Sequence, residues 1–238
     1  MKTNIGVFFG GRSTEHEISI ISANQAINAI DSRKYDVTPV YITKDGKWFT
    51  GSALLNLSNY RDIPALLNMC EEVYMRPIYG DYNLYYSMPK GVFSKKTIAC
   101  KLDVVIPVLH GANGEDGTFE GILDSIGIPY AGCDTLSSAN GMDKITMKMI
   151  LRENGIPVVD YTWFTDRQWF AQRDELIDRI EQNMGYPVII KPANLGSSIG
   201  IGCARNRNEF CARVADASRY ASRIKEEQMV QQPQQTNC

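Results

Sequence analysis

The stretch IGVFFGGRSTEHEISIISA, residues 5–23, predicts a strand, a glycine turn and a helix in direct succession. Residues 5–9 are mostly apolar and short enough for a buried strand, and apolar side chains then recur at helical spacing, at Ile20, Ala23, Ile27 and Ile30. Glu15 and Glu17 therefore flank His16 at a helix N-terminus, where several backbone N–H groups lack a helical partner. Both acids could simply complement the helix dipole, and a binding role for Glu15 is the alternative.

Alternating strand and helix patterns continue to about residue 135. Apolar runs at 37–42 and 104–108 predict two more strands, and a helix pattern follows at 119–126. GIPYAG at 127–132 predicts the beginning of a short strand. We therefore expect an α/β unit with a mostly parallel sheet and helices on its faces.

Residues 43–102 are a less regular insert in this unit. A hairpin is predicted around Trp48 and Phe49, which lie between turn signals, and another irregular strand pair is predicted at residues 81–93. The insert contains no motif that points to chemistry.

From residue 136 the pattern is typical of an α+β unit. Its elements are predicted from apolar spacing and from end signals: a helix through Met142, Ile145 and Met149, strands at 158–164 and 188–190, and a helix at 176–184. Asn206 and Glu209 predict a helix cap. We expect two domains, residues 1–135 and 136–238.

Composition limits the class of protein. The chain has 238 residues, of which 44% are hydrophobic and 22% charged, with a net charge of −2, as in a soluble globular protein. This balance disfavours nucleic-acid or membrane-surface binding as the main activity. Six cysteines without a C-x-x-C pair, and only two histidines, disfavour structural zinc. We expect a cytoplasmic protein with reduced thiols.

The segment KPANLGSSIGIG, residues 191–202, is the strongest chemical motif. Lys191 closes an apolar strand, and a Gly-Ser-Ser-x-Gly turn follows. Small residues let backbone N–H groups approach phosphate oxygens, while hydroxyls and Lys add donors and charge. The segment is not a Walker loop, because Lys precedes the glycines, and it lacks the G-x-G-x-x-G fingerprint of dinucleotide sites. An ordinary hairpin with Ser and Gly at its tip is the alternative.

Two further segments carry polar groups. HGANGEDGTFEG, residues 110–121, follows a predicted buried strand and so lies where parallel sheets usually bind ligands. Its acids and His110 could bind metal, but Asn-Gly and Asp-Gly also make plain turns. Lys144 and Lys148 lie one helical turn apart, which on its own is typical of a solvated helix face. The absence of a G-x-S-x-G elbow disfavours a serine hydrolase.

Four motifs, taken in order, resemble the D-alanine–D-alanine ligase family of the ATP-grasp superfamily. They are GGRSTEHEISIISA at 10–23, HGANGEDGTFEGILD at 110–124, MDK at 142–144 and IIKPANLGSSIGI at 189–201. The resemblance covers nearly the whole chain. It implies a Rossmann- or flavodoxin-like α/β N-terminal domain, residues 1–135, followed by a partial ATP-grasp domain of α+β type, residues 136–238.

The resemblance implies an ATP-dependent ligase that joins D-alanine to a second D-amino acid, D-Ala or D-Ser, for peptidoglycan precursor synthesis. A carboxylate is phosphorylated to an acyl phosphate, and the second amine then displaces phosphate. Three catalytic residues are implied: Glu15 for the ammonium group of the first D-alanine, Ser197 as its aid, and His110 near the first substrate's carboxylate. Such a carboxylate would fix the amine by a charge-assisted hydrogen bond and orient it. Glu17 remains assigned to the helix N-terminus.

The ATP-binding residues implied by the resemblance are Lys144, Lys191, Gly196, Ser198, Gly200, Glu227, Val230 and Gln235. The two lysines contact phosphates, and the glycine loop closes over them. Glu227 corresponds to the acid beside adenine, Val230 to the backbone at the purine ring and Gln235 to the ribose position. The chain departs from the family at Gln228, where Lys is usual, and at Gln235, where Glu is usual, so that charge assistance is lost there.

Magnesium is implied beside ATP, and we expect none of its ligands within this chain. The family's magnesium-binding acids and Asn, its mobile loop and its oxyanion-stabilising Arg are expected beyond residue 238, which predicts an N-terminal portion that is inactive alone. The alternative is a non-catalytic remnant or a binding module with partial nucleotide contacts. An NAD-binding oxidoreductase is disfavoured by the missing fingerprint. Expected partners are D-alanine, a second D-amino acid and a second copy in a homodimer, with no nucleic acid or membrane.

Overall fold

The computed structural model describes residues 2–88, 97–196 and 198–228. It divides into two compact units, Met1–Ala139 and Asn140–Cys238. The boundary that we expect between residues 135 and 136 stays a prediction, and it falls within the first turn of the helix Thr135–Met142.

The first unit is a seven-stranded sheet with helices. Its strands are β1 (Thr3–Gly10), β2 (Tyr35–Ile42), β3 (Trp48–Thr50), β4 (Glu71–Met75), β5 (Asn83–Tyr86), β6 (Ile98–Lys101) and β7 (Val104–Leu109). Its helices are α1 (His16–Ala29), α2 (Ile63–Asn68) and α3 (Thr118–Ile126), with two 3-10 helices at Ser52–Leu55 and Leu57–Arg61. α4 (Thr135–Met142) begins in this unit and ends in the second. The strand order is β6-β5-β4-β3-β2-β1-β7.

The sheet is mixed, so the prediction of a mostly parallel sheet is wrong for this unit. β1 pairs in parallel with β2 and β7, whereas β2 to β6 pair antiparallel in succession. The reason is that the insert folds as consecutive hairpins, beginning with the predicted one at Trp48, and hairpins place neighbouring strands antiparallel. GIPYAG contributes an isolated bridge from Tyr130 to Val105 instead of a strand.

β1 forms the centre of the first core. Phe8 packs on one face with residues of β2, β7 and α3, while Val7 and Phe9 pack on the other face with α1 and the insert. All three side chains are fully buried. A strand that is covered on both faces reads as a continuous apolar run, which is how residues 5–9 are recognised in the sequence.

The second unit is a four-stranded antiparallel sheet with helices. Its elements are α5 (Lys144–Glu153), β8 (Tyr161–Thr165), α6 (Asp166–Ala171), α7 (Arg173–Asn183), β9 (Val188–Pro192), β10 (Gly202–Ala204), α8 (Arg207–Ala217) and β11 (Arg223–Gln228). The strand order is β10-β9-β11-β8. Phe164, Ile190 and Ile224 of the sheet pack with apolar residues of α7 and α8.

Most sequence-based elements of this unit are confirmed with small shifts. Asn206 caps α8 by accepting a hydrogen bond from the Glu209 N–H. The helix expected to include Met142 begins at Lys144 instead, because Asp143 is its N-cap and accepts from two backbone N–H groups. In the described part of the chain, no helix has the length and apolar character needed to cross a membrane.

Candidate functional site

Ser19 fixes the end of the first unit's sheet, where the segments that carry Glu15 and His110 begin or end. Its Oγ accepts from the Gly10 N–H at 2.7 Å and donates to the Val108 carbonyl. One hydroxyl therefore joins the carboxyl ends of β1 and β7 to α1. Gly10 is required at this junction, because its φ is +91° and a Cβ there would lie 2.3 Å from the Ile42 carbonyl oxygen.

His16 supports the turn after β1. Its Nδ1 lies 2.7 Å from the Gly11 carbonyl oxygen and its Nε2 lies 2.9 Å from the Tyr41 hydroxyl. A carbonyl oxygen can only accept, so Nδ1 carries the proton and Nε2 accepts from Tyr41. Burial raises the pKa of Tyr41 to about 12, which keeps that hydroxyl protonated. His16, which is 2% exposed, is thus a structural link inside the turn.

Glu15 lies against the loop that follows β7. Gly111 has a φ of +71°, and a Cβ added there would lie 2.4 Å from the Glu15 Oε2 and 2.7 Å from the Ser13 Oγ. The Glu15 carboxylate therefore occupies the space that a side chain at residue 111 would need. The structure brings together the first and second of the sequence motifs at this point.

His110 adds an imidazole to the same loop. Its Nε2 lies 3.1 Å from the Ser22 Oγ of α1, and its Nδ1 lies 3.9 Å from Glu115 Oε1. Glu115 also accepts from the Gly111 N–H at 2.7 Å. Glu15 and His110 therefore lie at the carboxyl ends of β1 and β7. Contacts from the turn after β1, from α1 and from the loop after β7 hold them there.

Glu17 and Asp116 have structural partners. Glu17 lies in the first turn of α1, where a negative charge is favourable, and pairs with Lys44 on the surface. Asp116 accepts from the N–H groups of Asn113 and Thr118, which forms the turn before α3. Among residues 2–88, 97–196 and 198–228, no group of three or more His, Cys, Asp or Glu side chains is placed to hold a metal ion.

In the second unit, three lysines converge on one carboxylate. Glu227 Oε2 accepts from Lys148 and from Lys225, each at 2.7 Å, and Glu227 Oε1 pairs with Lys191. The lysines come from three elements, α5, β11 and β9, and Lys225 lies directly opposite Lys191 in the sheet. Like charges placed opposite each other destabilise a sheet, and here the carboxylate between them offsets that repulsion.

Lys144 adds a fourth cation near this group. Its backbone N–H donates to the Ala193 carbonyl at 2.8 Å, and its Nζ donates to the Leu195 carbonyl at the start of the glycine turn. Burial lowers the pKa of Lys144, and the neighbouring Lys191 lowers it further. Asp143 holds this end of α5 in place by pairing with Arg223. The solvated-face interpretation of Lys144 and Lys148 is therefore wrong, since Lys148 is only 8% exposed.

The electrostatics of the cluster favour an anion. Burial and the neighbouring lysines lower the pKa of Lys225 to about 8, although Glu227 opposes this. Burial tends to raise the pKa of Glu227, but its hydrogen bonds with the lysines outweigh burial and hold that pKa at about 2. Four lysines against this one ionised carboxylate leave an excess of positive charge, which is costly away from water unless an anion compensates it. A polyphosphate has the charge and the acceptor oxygens to do so.

The glycine turn joins β9 to β10, which pair antiparallel as a hairpin. Ser198 and Gly200 both have left-handed backbone conformations, with φ of +60° and +68°. β9 and β10 therefore form a hairpin, and Lys191 and the small residues of the turn lie on one short segment. A phosphate-binding role for the turn stays a prediction.

Three sequence-predicted residues, Ser197, Val230 and Gln235, lie outside the described residues. Conversely, Lys225 was missed by the motif analysis, and Lys148 was noted without a role. A signal for Lys225 exists in the sequence, because residues two apart on a strand share a face and Glu227 follows it by two.

Comparison with known proteins identifies the family. Residues 4–133 match the family model described as D-ala D-ala ligase N-terminus, and residues 150–238 match the model described as D-ala D-ala ligase C-terminus. The chain belongs to the D-alanine–D-alanine ligase family.

Relatives in this family share sequence and fold with the chain. The D-alanine–D-alanine ligase of Thermosipho melanesiensis is 40% identical over 235 residues, which are 99% of this chain and 61% of the relative. That of Acetivibrio thermocellus is 38% identical over 241 residues, covering 96% of this chain and 62% of the relative. The chain therefore spans about three fifths of the length of these ligases.

Solved structures confirm the mixed α/β fold of the D-alanine–D-alanine ligase family. The VanG D-Ala:D-Ser ligase from Enterococcus faecalis has a TM-score of 0.82 and 32% identity, covering 97% of this chain and 64% of that one. The D-alanine–D-alanine ligase from Coxiella burnetii has a TM-score of 0.82 and 29% identity, with the same coverage. The Rossmann-like unit followed by part of an ATP-grasp unit, expected from the resemblance, is the fold of this chain.

Proposed function

We propose that the protein joins D-alanine to a second D-amino acid at the expense of ATP, in the synthesis of peptidoglycan precursors. The observation that carries this proposal is the cluster of buried lysines around Glu227 in a chain of the D-alanine–D-alanine ligase family. Such an excess of positive charge suits a nucleoside triphosphate, whose phosphates it would offset during transfer.

Glu15 is proposed to bind the ammonium group of the first D-alanine. Its carboxylate is supported by the turn that His16 fixes, and it lies against Gly111, which leaves room for no side chain there. A carboxylate positioned in this way can fix an amine by a charge-assisted hydrogen bond and orient the substrate. Ser197 is proposed to assist Glu15.

His110 is proposed to lie near the carboxylate of the first D-alanine. Its Nε2 is within hydrogen-bond distance of Ser22, which restrains the ring on the loop after β7. An imidazole there can stabilise the negative charge that develops when the carboxylate attacks phosphorus.

The nucleotide residues are proposed as follows. Lys144 and Lys191 contact the phosphates, and the turn containing Gly196, Ser198 and Gly200 closes over them. Glu227, Val230 and Gln235 contact the base and ribose. Of these, the two lysines and Glu227 have the strongest structural support, because their side chains belong to one connected cluster.

The proposed reaction has two steps, a phosphoryl transfer and an acyl transfer. A carboxylate oxygen of D-alanine attacks the γ-phosphorus of ATP, and ADP leaves with the electron pair of the broken phosphoanhydride bond. The amine of the second amino acid then attacks the acyl carbon, inorganic phosphate leaves, and the amine loses a proton. Magnesium is proposed beside ATP, where it would offset the charge of the phosphates.

The second amino acid is proposed to be D-alanine or D-serine. D-serine deserves a test because one of the structural neighbours is described as a D-Ala:D-Ser ligase. A homodimer and a cytoplasmic location are also proposed, because the chain belongs to the D-alanine–D-alanine ligase family. A binding module with partial nucleotide contacts is the competing function, since the chain spans only 61% of the Thermosipho ligase.

Phosphate release from Mg-ATP tests the function. It is measured with D-alanine alone and with D-serine added. Two proteins are compared: this 238-residue chain and the product of the complete open reading frame in which its coding sequence lies. We expect D-alanine-dependent release and a dipeptide product from the reading-frame product, and no release above the Glu15→Gln variant from the 238-residue chain. Nucleotide binding without D-alanine-dependent release by either protein would favour the binding module.

A further inference from the structure

The three lysines around Glu227 differ in how firmly they are held. The side chains of Lys225 and Lys148 are 2% and 10% exposed, whereas that of Lys191 is 22% exposed. Lys148 also donates to the Val159 carbonyl at 3.2 Å and lies 5.2 Å from the centre of the Tyr161 ring. Lys225 lies 5.9 Å from the same ring. Lys148 and Lys225 are therefore fixed by several contacts.

The two carboxylate oxygens of Glu227 are divided between these lysines. Oε2 accepts from the fixed pair, Lys148 and Lys225, and Oε1 pairs with Lys191. Lys191 lies in β9, five residues before Gly196, where the glycine turn begins. Lys191 is the most exposed of the three lysines and the one nearest in sequence to the turn, so a phosphate in the turn, which carries more negative charge than a carboxylate, competes with Oε1 for its ammonium group.

We propose that Lys191 pairs with Glu227 in the free protein and transfers to phosphate when a nucleotide binds, which releases Oε1 as an acceptor for an amino group on the base. Lys148 and Lys225 are positioning residues: they stay on Oε2 and keep the carboxylate in place during this exchange. Recognition of an aminopurine thus depends on phosphate binding. This inference rests on the proposed nucleotide-binding function and names how its parts are coupled.

The chemistry predicts which nucleotides are accepted. Oε1 of an ionised carboxylate accepts hydrogen bonds and cannot donate them, so it suits the 6-amino group of adenine. The 6-oxo group of inosine would place an oxygen against Oε1, and a site built to pair with a donor rejects an analogue that lacks it. In the free protein Lys191 covers Oε1, so adenosine without phosphates gains little from this acceptor.

Equilibrium binding of adenosine, ATP and inosine triphosphate to this chain tests the proposal. In the Lys191→Met variant we expect adenosine affinity to rise about tenfold, because Oε1 is uncovered, and ATP affinity to fall about tenfold, because a phosphate contact is lost. Opposite signs are the critical result, since general damage to the fold would weaken both ligands. Changes in the same direction would overturn the exchange of Lys191.

The Lys225→Met variant tests positioning. We expect the wild-type preference for ATP over inosine triphosphate, about tenfold or more, to fall below about threefold when the carboxylate is less well held. An unchanged preference in a folded Lys225→Met protein would contradict its positioning role. If Lys225→Met does not fold, as judged by near-UV circular dichroism, Lys148→Met serves for the same measurement.

Arg219→Met is the matched control, because it removes one cation from an exposed side chain of the same unit. We expect all three affinities to stay within about twofold of the wild type. The two proposals fail differently: a wild-type chain that binds ATP no better than adenosine contradicts the nucleotide site itself, whereas tight ATP binding with same-sign effects in Lys191→Met contradicts only the exchange.

Discussion

The two units position the carboxylates that we propose to bind ligands, Glu15 and Glu227, by different means. Glu15 is placed by backbone geometry, in the space that Gly111 leaves, on a turn held by Ser19 and His16. Glu227 is placed by charge, between lysines from three separate elements. The comparison teaches that the position of Glu15 is sensitive to added atoms at residue 111, whereas the position of Glu227 is sensitive to any change in the balance of charges around it.

Glu227→Gln should have the largest effect. Removing the partner of buried lysines leaves uncompensated charge, so we expect the free energy of unfolding to fall by about 3–5 kcal/mol. Urea denaturation at pH 7 measures it. The folded pKa of Glu227, about 2, lies below its ordinary 4.5, so its stabilisation is present above about pH 4.5 and lost as the pH falls towards 2. The difference between wild type and variant should therefore shrink over that range.

Glu17→Gln is the matched control for that experiment. It breaks a pair in which the Lys44 and Glu17 side chains are 63% and 64% exposed, and such pairs contribute about 0–1 kcal/mol. Equal losses for the exposed and buried glutamates would contradict a charge-balanced cluster around Glu227.

Gly111→Ala tests the geometric site. A methyl group 2.4 Å from Glu15 Oε2 must displace that carboxylate, and the loss of a hydrogen bond to a charged group costs about 10- to 100-fold in affinity. We expect that loss in D-alanine affinity, measured by calorimetry. Gly80→Ala is matched, since Gly80 also has a positive φ, +83°, but nothing lies within 4 Å of the added Cβ. If both variants lose affinity equally, backbone strain and not contact with Glu15 is the cause.

Glu226→Met sharpens the comparison on the opposite face of β11. Glu226 is fully buried, and neither of its carboxylate oxygens has a hydrogen-bond partner among the residues that the structure describes. Burial raises its pKa well above 4.5. Replacing it with an apolar side chain should stabilise the protein by about 1–3 kcal/mol at pH 8. Because a raised acid pKa removes stability as the pH rises above 4.5, the gain should be smaller at pH 5. A gain independent of pH would arise from packing instead.

Ser22→Ala should have the smallest effect. It removes the hydroxyl 3.1 Å from His110 Nε2, which should weaken D-alanine binding by about two- to tenfold with little change in unfolding free energy. Ser125→Ala, which removes an exposed hydroxyl bonded to the Gly121 carbonyl, is its control. If Ser125→Ala weakened D-alanine binding as much as Ser22→Ala, the hydrogen bond between Ser22 and His110 would not be the cause.

The fold was predictable where the signal is local. β1, its turn and α1 follow from apolar spacing and glycines within a single stretch, and Glu15 could be placed at the helix start for the same reason. The antiparallel extension was not predictable in detail, because pairing among β3 to β6 depends on contacts between distant residues. Asp143 could have placed the start of α5, since Asp is a preferred N-cap.

Sequence motifs predict only part of the lysine cluster around Glu227. Lys144 and Lys191 lie in recognisable motifs, but Lys225 gains its role from β9 and α5, which approach β11 only in the folded unit. Glu226 was unexpected because Glu is rarely fully buried without a partner. The spacing of residues in the sequence does not predict the role of a side chain whose partners come from several separate elements.

The insert lies at one margin of the first unit's sheet, where the sheet can be extended. β3 to β6 add to the outer edge of β2, while β7 lies on the other side of β1. Additions at the β6 edge would therefore extend this margin without entering the pairing of β1 with β7, which aligns the turn of Glu15 with the loop of His110. A reporter sequence grafted at this margin would leave the carboxyl edge of β1 and β7 in its present register.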